Sequence, residues 1–125
     1  MPRLNVQADV RSYLAASLDG VEVRVRVPDP RPERLVVVTR EGGRRLDALR
    51  DRAGVGVLVW APTEAECQEL ADEVADLMFA LNGDFGFRRG YDLVEEEALY
   101  SDADTETRPD TPRWYGSYTI TTHRY

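Results

Sequence analysis

A chain of 125 residues with 42% hydrophobic and 31% charged side chains has the size and make-up of one globular domain and leaves no length for a separate ligand-binding unit. Its formal charge of −7 and pI near 4.7 argue against a free nucleic-acid binder. No apolar run approaches the roughly 18 residues that cross a bilayer, and Met1-Pro2-Arg3-Leu4-Asn5 has neither the apolar core nor the cleavage site of a secretory leader, so the chain is expected to stay where it is made and to have no membrane partner.

Asn5 is placed to cap a first helix in which Val6, Val10, Tyr13, Leu14 and Leu18 recur at helical spacing, with Gly20 to end it. Val21-Glu22-Val23-Arg24-Val25-Arg26-Val27 then alternates strictly, which predicts a strand with four valines inward and Glu22, Arg24 and Arg26 outward. Pro28-Asp29-Pro30-Arg31-Pro32 stops it, since proline donates nothing to a ladder and restricts the residue before it. Leu35 to Arg40 reads as a continuous apolar strand, and Glu41-Gly42-Gly43 as a tight turn into Arg44-Arg45-Leu46. Asp47 to Gly54 looks charged and irregular. Val55-Gly56-Val57-Leu58-Val59-Trp60-Ala61 reads as another buried strand that stops at Pro62.

Thr63 with Glu66 three residues on forms a capping-box pattern, and Cys67, Leu70, Ala71, Val74, Leu77, Met78 and Leu81 mark one helical stripe as far as Asn82-Gly83. The opposite stripe, Glu64, Glu69, Asp72, Glu73 and Asp76, is acidic throughout. Phe87 to Tyr100 has an imperfect strand pattern that suggests a bulge, and Ser101 to Asp110 reads as an acidic loop without apolar anchors, mobile or ordered only by a partner. From Arg113 onward the chain alternates again: Trp114, Tyr118 and Ile120 on one face, Tyr115, Ser117, Thr119, Thr121 and His123 on the other. One face suits a core, and the hydroxyl face calls for a second layer or another subunit. The order α-β-β-β-α-β-β predicts an α+β two-layer sandwich, a mixed and mostly antiparallel sheet packed with two helices, with a β-hairpin in addition.

No catalytic motif stands out. Cys67 is the one cysteine and His123 the one histidine, which excludes an intrachain disulfide and a cysteine-based zinc site. Cys67 lies in the apolar stripe of the second helix, where a small buried thiol is ordinary, and a lone histidine is more often a hydrogen-bonded structural residue than a base. Asp102-Ala103-Asp104-Thr105-Glu106 begins like a calcium loop, then puts Thr107 where the turn needs glycine and Arg113 where a bidentate glutamate should close the site. Neighbours in Glu95-Glu96-Glu97 alternate faces, so they read as a charged sheet edge or interface rather than an acid/base pair. Gly42-Gly43 and Gly83-Asp84-Phe85-Gly86 lack the spacing of a phosphate loop and read as turns. No cofactor or metal is expected.

The total charge hides a division. Residues 1–62 carry 11 arginines against 8 acidic residues, net +3, and residues 63–125 carry 5 against 15, net −10. Opposite halves of this kind favour a heterologous contact, basic side to acidic side, and hence a ring or filament; mixing of both on one surface is the alternative.

The first helix with its alternating strand, the Thr39-Arg40-Glu41-Gly42-Gly43-Arg44-Arg45 segment leading through Val57-Leu58-Val59-Trp60-Ala61 into an acidic helix, and the Asp-rich loop ending in Pro112-Arg113-Trp114 together resemble the tail terminator proteins of long-tailed, siphovirus-type bacteriophages, especially those of actinobacterial hosts. The likeness runs nearly end to end. It implies a non-enzymatic virion protein that forms a hexameric ring at the neck, caps the tail tube, stops its polymerisation and meets the head connector. Its partners would be other copies of itself, the tail tube protein and the head-tail connector protein. Genomic DNA would pass through without sequence-specific binding, and assembly would take place in the host cytoplasm. A head-to-tail connector ring is the related alternative. A monomeric α+β ligand-binding or hydrolytic domain, which would need a deep pocket, is the alternative from another class.

In a ring, the subunit-contact candidates are Arg24, Arg26, Arg40, Arg44 and Arg45 on the basic side, Glu95, Glu96 and Glu97 or the acidic helix on the other, and the face of Tyr115, Ser117, Thr119 and Thr121. Asp102, Asp104, Glu106 and Asp110 are candidates to face the channel or a partner.

Overall fold

The structure is a computed structural model and describes residues 5–82, 90–106 and 111–123. Asn5 caps the first helix, α1 (Val6–Ser17), its Oδ1 accepting the Ala8 N–H at 3.1 Å. Strands β1 (Glu22–Arg24), β2 (Leu35–Arg45) and β3 (Arg50–Trp60) follow, then helix α2 (Glu64–Phe79), β4 (Tyr91–Ser101) and β5 (Arg113–His123). They make a five-stranded sheet in the order β1-β2-β3-β5-β4, parallel between β1 and β2 and antiparallel elsewhere. Both helices pack on one face. The fold is the α+β, mixed and mostly antiparallel arrangement that the element order predicts.

Period-2 alternation sorts the strands between two environments. Val36, Val38, Val55, Val57, Val59, Val94, Tyr118 and Ile120 turn toward Val10 and Leu14 of α1 and Leu70, Val74 and Met78 of α2, each large apolar side chain contributing about 1.5–3 kcal/mol by burial. Thr63 Oγ1 accepts the Glu66 N–H at 3.2 Å and starts α2 where the capping pattern places it. On the other face no helix lies among the described residues. Leu35, Val37 and Trp60 are buried there with Leu58 half-buried beside them.

Four local expectations are corrected. The first strand covers only Glu22–Arg24, with Val23 buried, while Val25 and Val27 are 41% and 50% exposed. The cause is topological: β1 runs parallel to β2, so the chain must leave the sheet at once and travel back through residues 25–34 to reach the start of β2. Gly42-Gly43 is not the turn. It is a bulge inside one long strand, where pairing steps from Arg40–Val55 to Gly43–Ala53.

The hairpin turns instead at Asp47, whose Oδ1 accepts the N–H groups of Leu49 at 2.9 Å and Arg50 at 2.8 Å, an aspartate-closed turn. Residues 50–54, expected to be irregular, are therefore ladder. The acidic loop, third, is anchored in its described part. The β4–β5 ladder extends through Asp102, Asp104 and Thr111, and Asp104 is buried under Trp60, whose Nε1 donates to Oδ2 at 3.1 Å. That anchor lies 44 residues away in sequence, where local composition does not reach.

Fourth, β4 has two register shifts, at Tyr91/Leu93 and Glu96/Ala98, where the sequence suggested one; the first lets Tyr91 and Val94 both reach the core. The proposed start at Phe87, the helix stop at Gly83 and the turn through Gly86 lie outside the described residues, as does Asp110.

Candidate functional site

The register assigns every contact candidate to a place on the sheet. β1 pairs only with Leu35–Val37, so β2 from Val38 to Arg45 continues the same outer edge as β1, while residues 25–27 bend away from it, Val27 toward Leu58 and Trp60. Arg24, Arg40, Arg44 and Arg45 lie along this side, Arg26 sits in the bend that follows β1, and all five are exposed. β4 forms the opposite edge and carries Glu95, Glu96 and Glu97, also exposed, with Asp92 near its start. Four of the five arginines and the three glutamates are thus gathered on opposite margins of one sheet, with β3 and β5 between.

Within each margin the charges differ in commitment. Arg24 meets Glu22 at 3.4 Å, and Arg40 Nε donates to the Gly42 carbonyl at 2.6 Å. Arg44 stands directly opposite Arg52 on β3, and among the described residues neither forms an ion pair. Arg52, which the sequence pattern hid inside an apparently irregular stretch, also has its Nε shielded from solvent with no acceptor. On the acidic margin Glu95 shares the helix-free face with Thr119, while Glu96 turns toward the helices opposite Tyr118. Tyr118 Oη approaches Glu96 Oε1 at 3.5 Å, and burial, then the Glu96 charge and those of Asp72 and Asp76, push its hydroxyl far above the usual tyrosine range.

The helix-free face between the margins holds Tyr115, Ser117, Thr119 and Thr121. The first three are half-buried and Thr121 is 7% exposed. The face is therefore partly covered by its own chain. The β2 bulge lifts Glu41 over Gly54 and Gly56; a Cβ on Gly56 would sit 2.6–2.8 Å from the Glu41 carboxyl group, so glycine is what lets it lie across β3. There it receives the Tyr115 hydroxyl, 2.6 and 2.7 Å from its two oxygens. Burial and then this carboxylate raise the Tyr115 hydroxyl above its ordinary value. Tyr100 leans on Tyr115 at 5.5 Å between ring centroids. At the far end Arg31 and Arg113 lie over the Trp60 ring at 5.9 and 5.7 Å.

Of the loop candidates, Asp102 pairs with Arg113 at 3.1 Å. Asp104 is buried beneath Trp60, which removes it from any channel-lining role, and Glu106 is exposed. Burial alone would raise the Asp104 carboxyl; the Trp60 and Glu106 N–H groups, with the charges of Arg113 and Arg31, outweigh it and hold the group below its ordinary value.

Cys67 and His123 are not brought together. Cys67 is buried on the helix side with Sγ donating to the Val59 carbonyl at 3.2 Å, and burial raises its thiol. His123 is opposite Arg50, at the other end of β3 from Val59, about 30 Å away at 3.3 Å per strand residue. Its Nδ1 lies 2.7 Å from Asp92 Oδ1. Among the described residues no three His, Cys, Asp or Glu side chains form a group that could hold a metal, and no helix is long and apolar enough to cross a membrane. The helix-free face offers open grooves, one of about 500 Å³ between Val27, Arg31, Leu58 and Trp60.

No protein-family model matches the chain, and no curated protein sequence matches it.

Proposed function

We propose that this chain is a ring-forming structural subunit of the tail terminator type to which its sequence is similar. In that role it caps a phage tail tube, ends the tube's growth and joins it to the head connector. The observation that carries the reading is the placement of opposite charge on opposite margins of a single sheet. Like margins repel, so two copies meet basic side to acidic side. Such a contact is heterologous: it uses different surfaces on the two copies, and repeated with a constant rotation it closes into a ring or runs on as a filament. The partly self-covered hydroxyl face and the buried thiol, set far from the histidine, support an assembling role over a hydrolytic one.

The test is native mass measurement with negative-stain microscopy of the purified full chain. The expected result is a sixfold ring with a central channel. A mass of one chain at every concentration, in the presence and absence of tail tube protein, overturns the reading and returns the monomeric binding domain to first place.

A further inference from the structure

The strand pattern from Val21 to Val27 is stronger than the strand it forms. Val25-Arg26-Val27 keeps strict alternation and β-branched residues, yet no backbone hydrogen bond ties these three to the other described residues. Six large hydrophobic side chains are well exposed among the described residues, and four of them bear on this segment and on β4: Val25 and Val27 at 41% and 50% in the bend that follows β1, with Val27 beside Leu58 and Trp60, and Leu93 and Tyr100 at 41% and 50% on β4. Places where local sequence preference and observed structure disagree are where function is to be sought.

Resting on the assembly reading above, we propose that Arg24–Val27 of one copy straightens from its bend and completes a strand against the outer edge of β4 in the next copy, which no described strand pairs, so that the sheet runs on from subunit to subunit. An edge strand offers a row of open N–H and C=O groups, and adding a strand to it is a general mode of recognition. The match is one of charge, carried by Glu95 and by Glu97, the extra residue of the β4 bulge. Arg24 and Arg26 meet Glu95 and Glu97, while the exposed valines meet the apolar side chains of β4. The same charges prevent the two symmetrical alternatives, β4 against β4 and Arg24–Val27 against itself, since each sets like charges face to face. The Val94 carbonyl already accepts Asn82 Nδ2 at 3.3 Å, so the pairing runs along the part of β4 beyond it, Glu95–Ser101.

Two measurements on the full chain decide it. The first is amide hydrogen exchange on the assembled and dissociated protein. Amides of residues 25–27 and 95–101 slow on assembly, whereas unchanged exchange in both segments of a protein that has assembled places the contact elsewhere and overturns the strand pairing while leaving the ring standing. The second uses margin swaps. R24E/R26E makes both proposed pairing segments acidic and E95R/E97R makes both basic, so each alone fails to assemble, and mixing them restores assembly with the two kinds alternating. Recovery on mixing also shows that both variants fold. Rings from either variant alone overturn the pairing. Arg26→Pro adds a backbone probe: it removes one N–H from a segment outside the sheet and weakens association by about tenfold, with the monomer's circular dichroism unchanged. A wild-type chain that never associates removes both this inference and the reading beneath it.

Discussion

Arg44 and Arg52 show a pair of residues placed against the interest of their own fold. Like charges directly opposite on neighbouring strands destabilise a sheet, and this pair faces across β2 and β3 with no counter-ion among the described residues. Arg44→Glu makes the pair favourable. The expected outcome is a monomer more stable by roughly 0.2–1 kcal/mol, read from its denaturant midpoint, together with weaker association. Arg45→Glu has the opposite sign on stability, because it sets a second carboxylate opposite Asp51. Equal effects of the two substitutions on the monomer contradict the register.

Asp104 supplies a pH signature at the same scale. Its folded-state pKa lies below the ordinary 3.8, so the unfolded chain binds its proton first, and the stabilisation it gives is complete above that value and lost as pH falls through the lowered one. Asp104→Asn is expected to cost about 1–2 kcal/mol at neutral pH and progressively less in acid. Parallel loss at pH 7 and near pH 3, measured by urea unfolding, contradicts a charged partner for Trp60.

At the scale of elements, the bulge in β2 gives the clearest lesson. Gly43 has φ of +130°, and a Cβ there would press on the backbone carbonyl of Arg52 and lie 2.9 Å from the Ala53 Cα. Both obstacles are backbone, so Gly43→Ala is expected to destabilise the chain by more than about 1 kcal/mol and to release Glu41 from Tyr115. The Tyr115 hydroxyl then titrates closer to its ordinary value, which ultraviolet difference spectra follow.

A pair of glycines announces special backbone, and the sequence carried that much; whether the pair turns a hairpin or kinks a strand depends on pairing with residues 53–55, which no local pattern contains. The same divide runs through the molecule. Helix α2 was legible because its cap and stripe are local, and β5 because alternation is local. The short β1 was not, because its length is set by a parallel neighbour, and Asp104 was misread because its partner, Trp60, lies on a distant strand. The site candidates on β2 and β4 were legible as charge; their gathering on two opposite margins came only from strand order. Arg52 and Glu41 were missed, although Gly54 and Gly56 marked where something crosses β3.

For the whole molecule, the proposed margin-to-margin contact would be an electrostatic event between exposed groups. The apparent dissociation constant of the ring is expected to rise by about tenfold or more between roughly 50 mM and 500 mM salt, as the Debye length shrinks to a few ångströms. Analytical ultracentrifugation at both salts tests this, and salt-independent association points to the apolar side chains alone.

Strand order also fixes the timing of synthesis. β5 follows β4 in sequence yet lies between β3 and β4, and it is the one strand that β4 pairs with. While the ribosome is still making β4, that strand has nowhere to dock, and the growing chain can display its arginines but no finished acidic edge. A subunit thus gains its second side only when β5 has emerged and slotted into place. On the proposed assembly, a product cut short before β5 would lack the strand that joins β4 to β3 and so would have no acidic margin to offer the next copy.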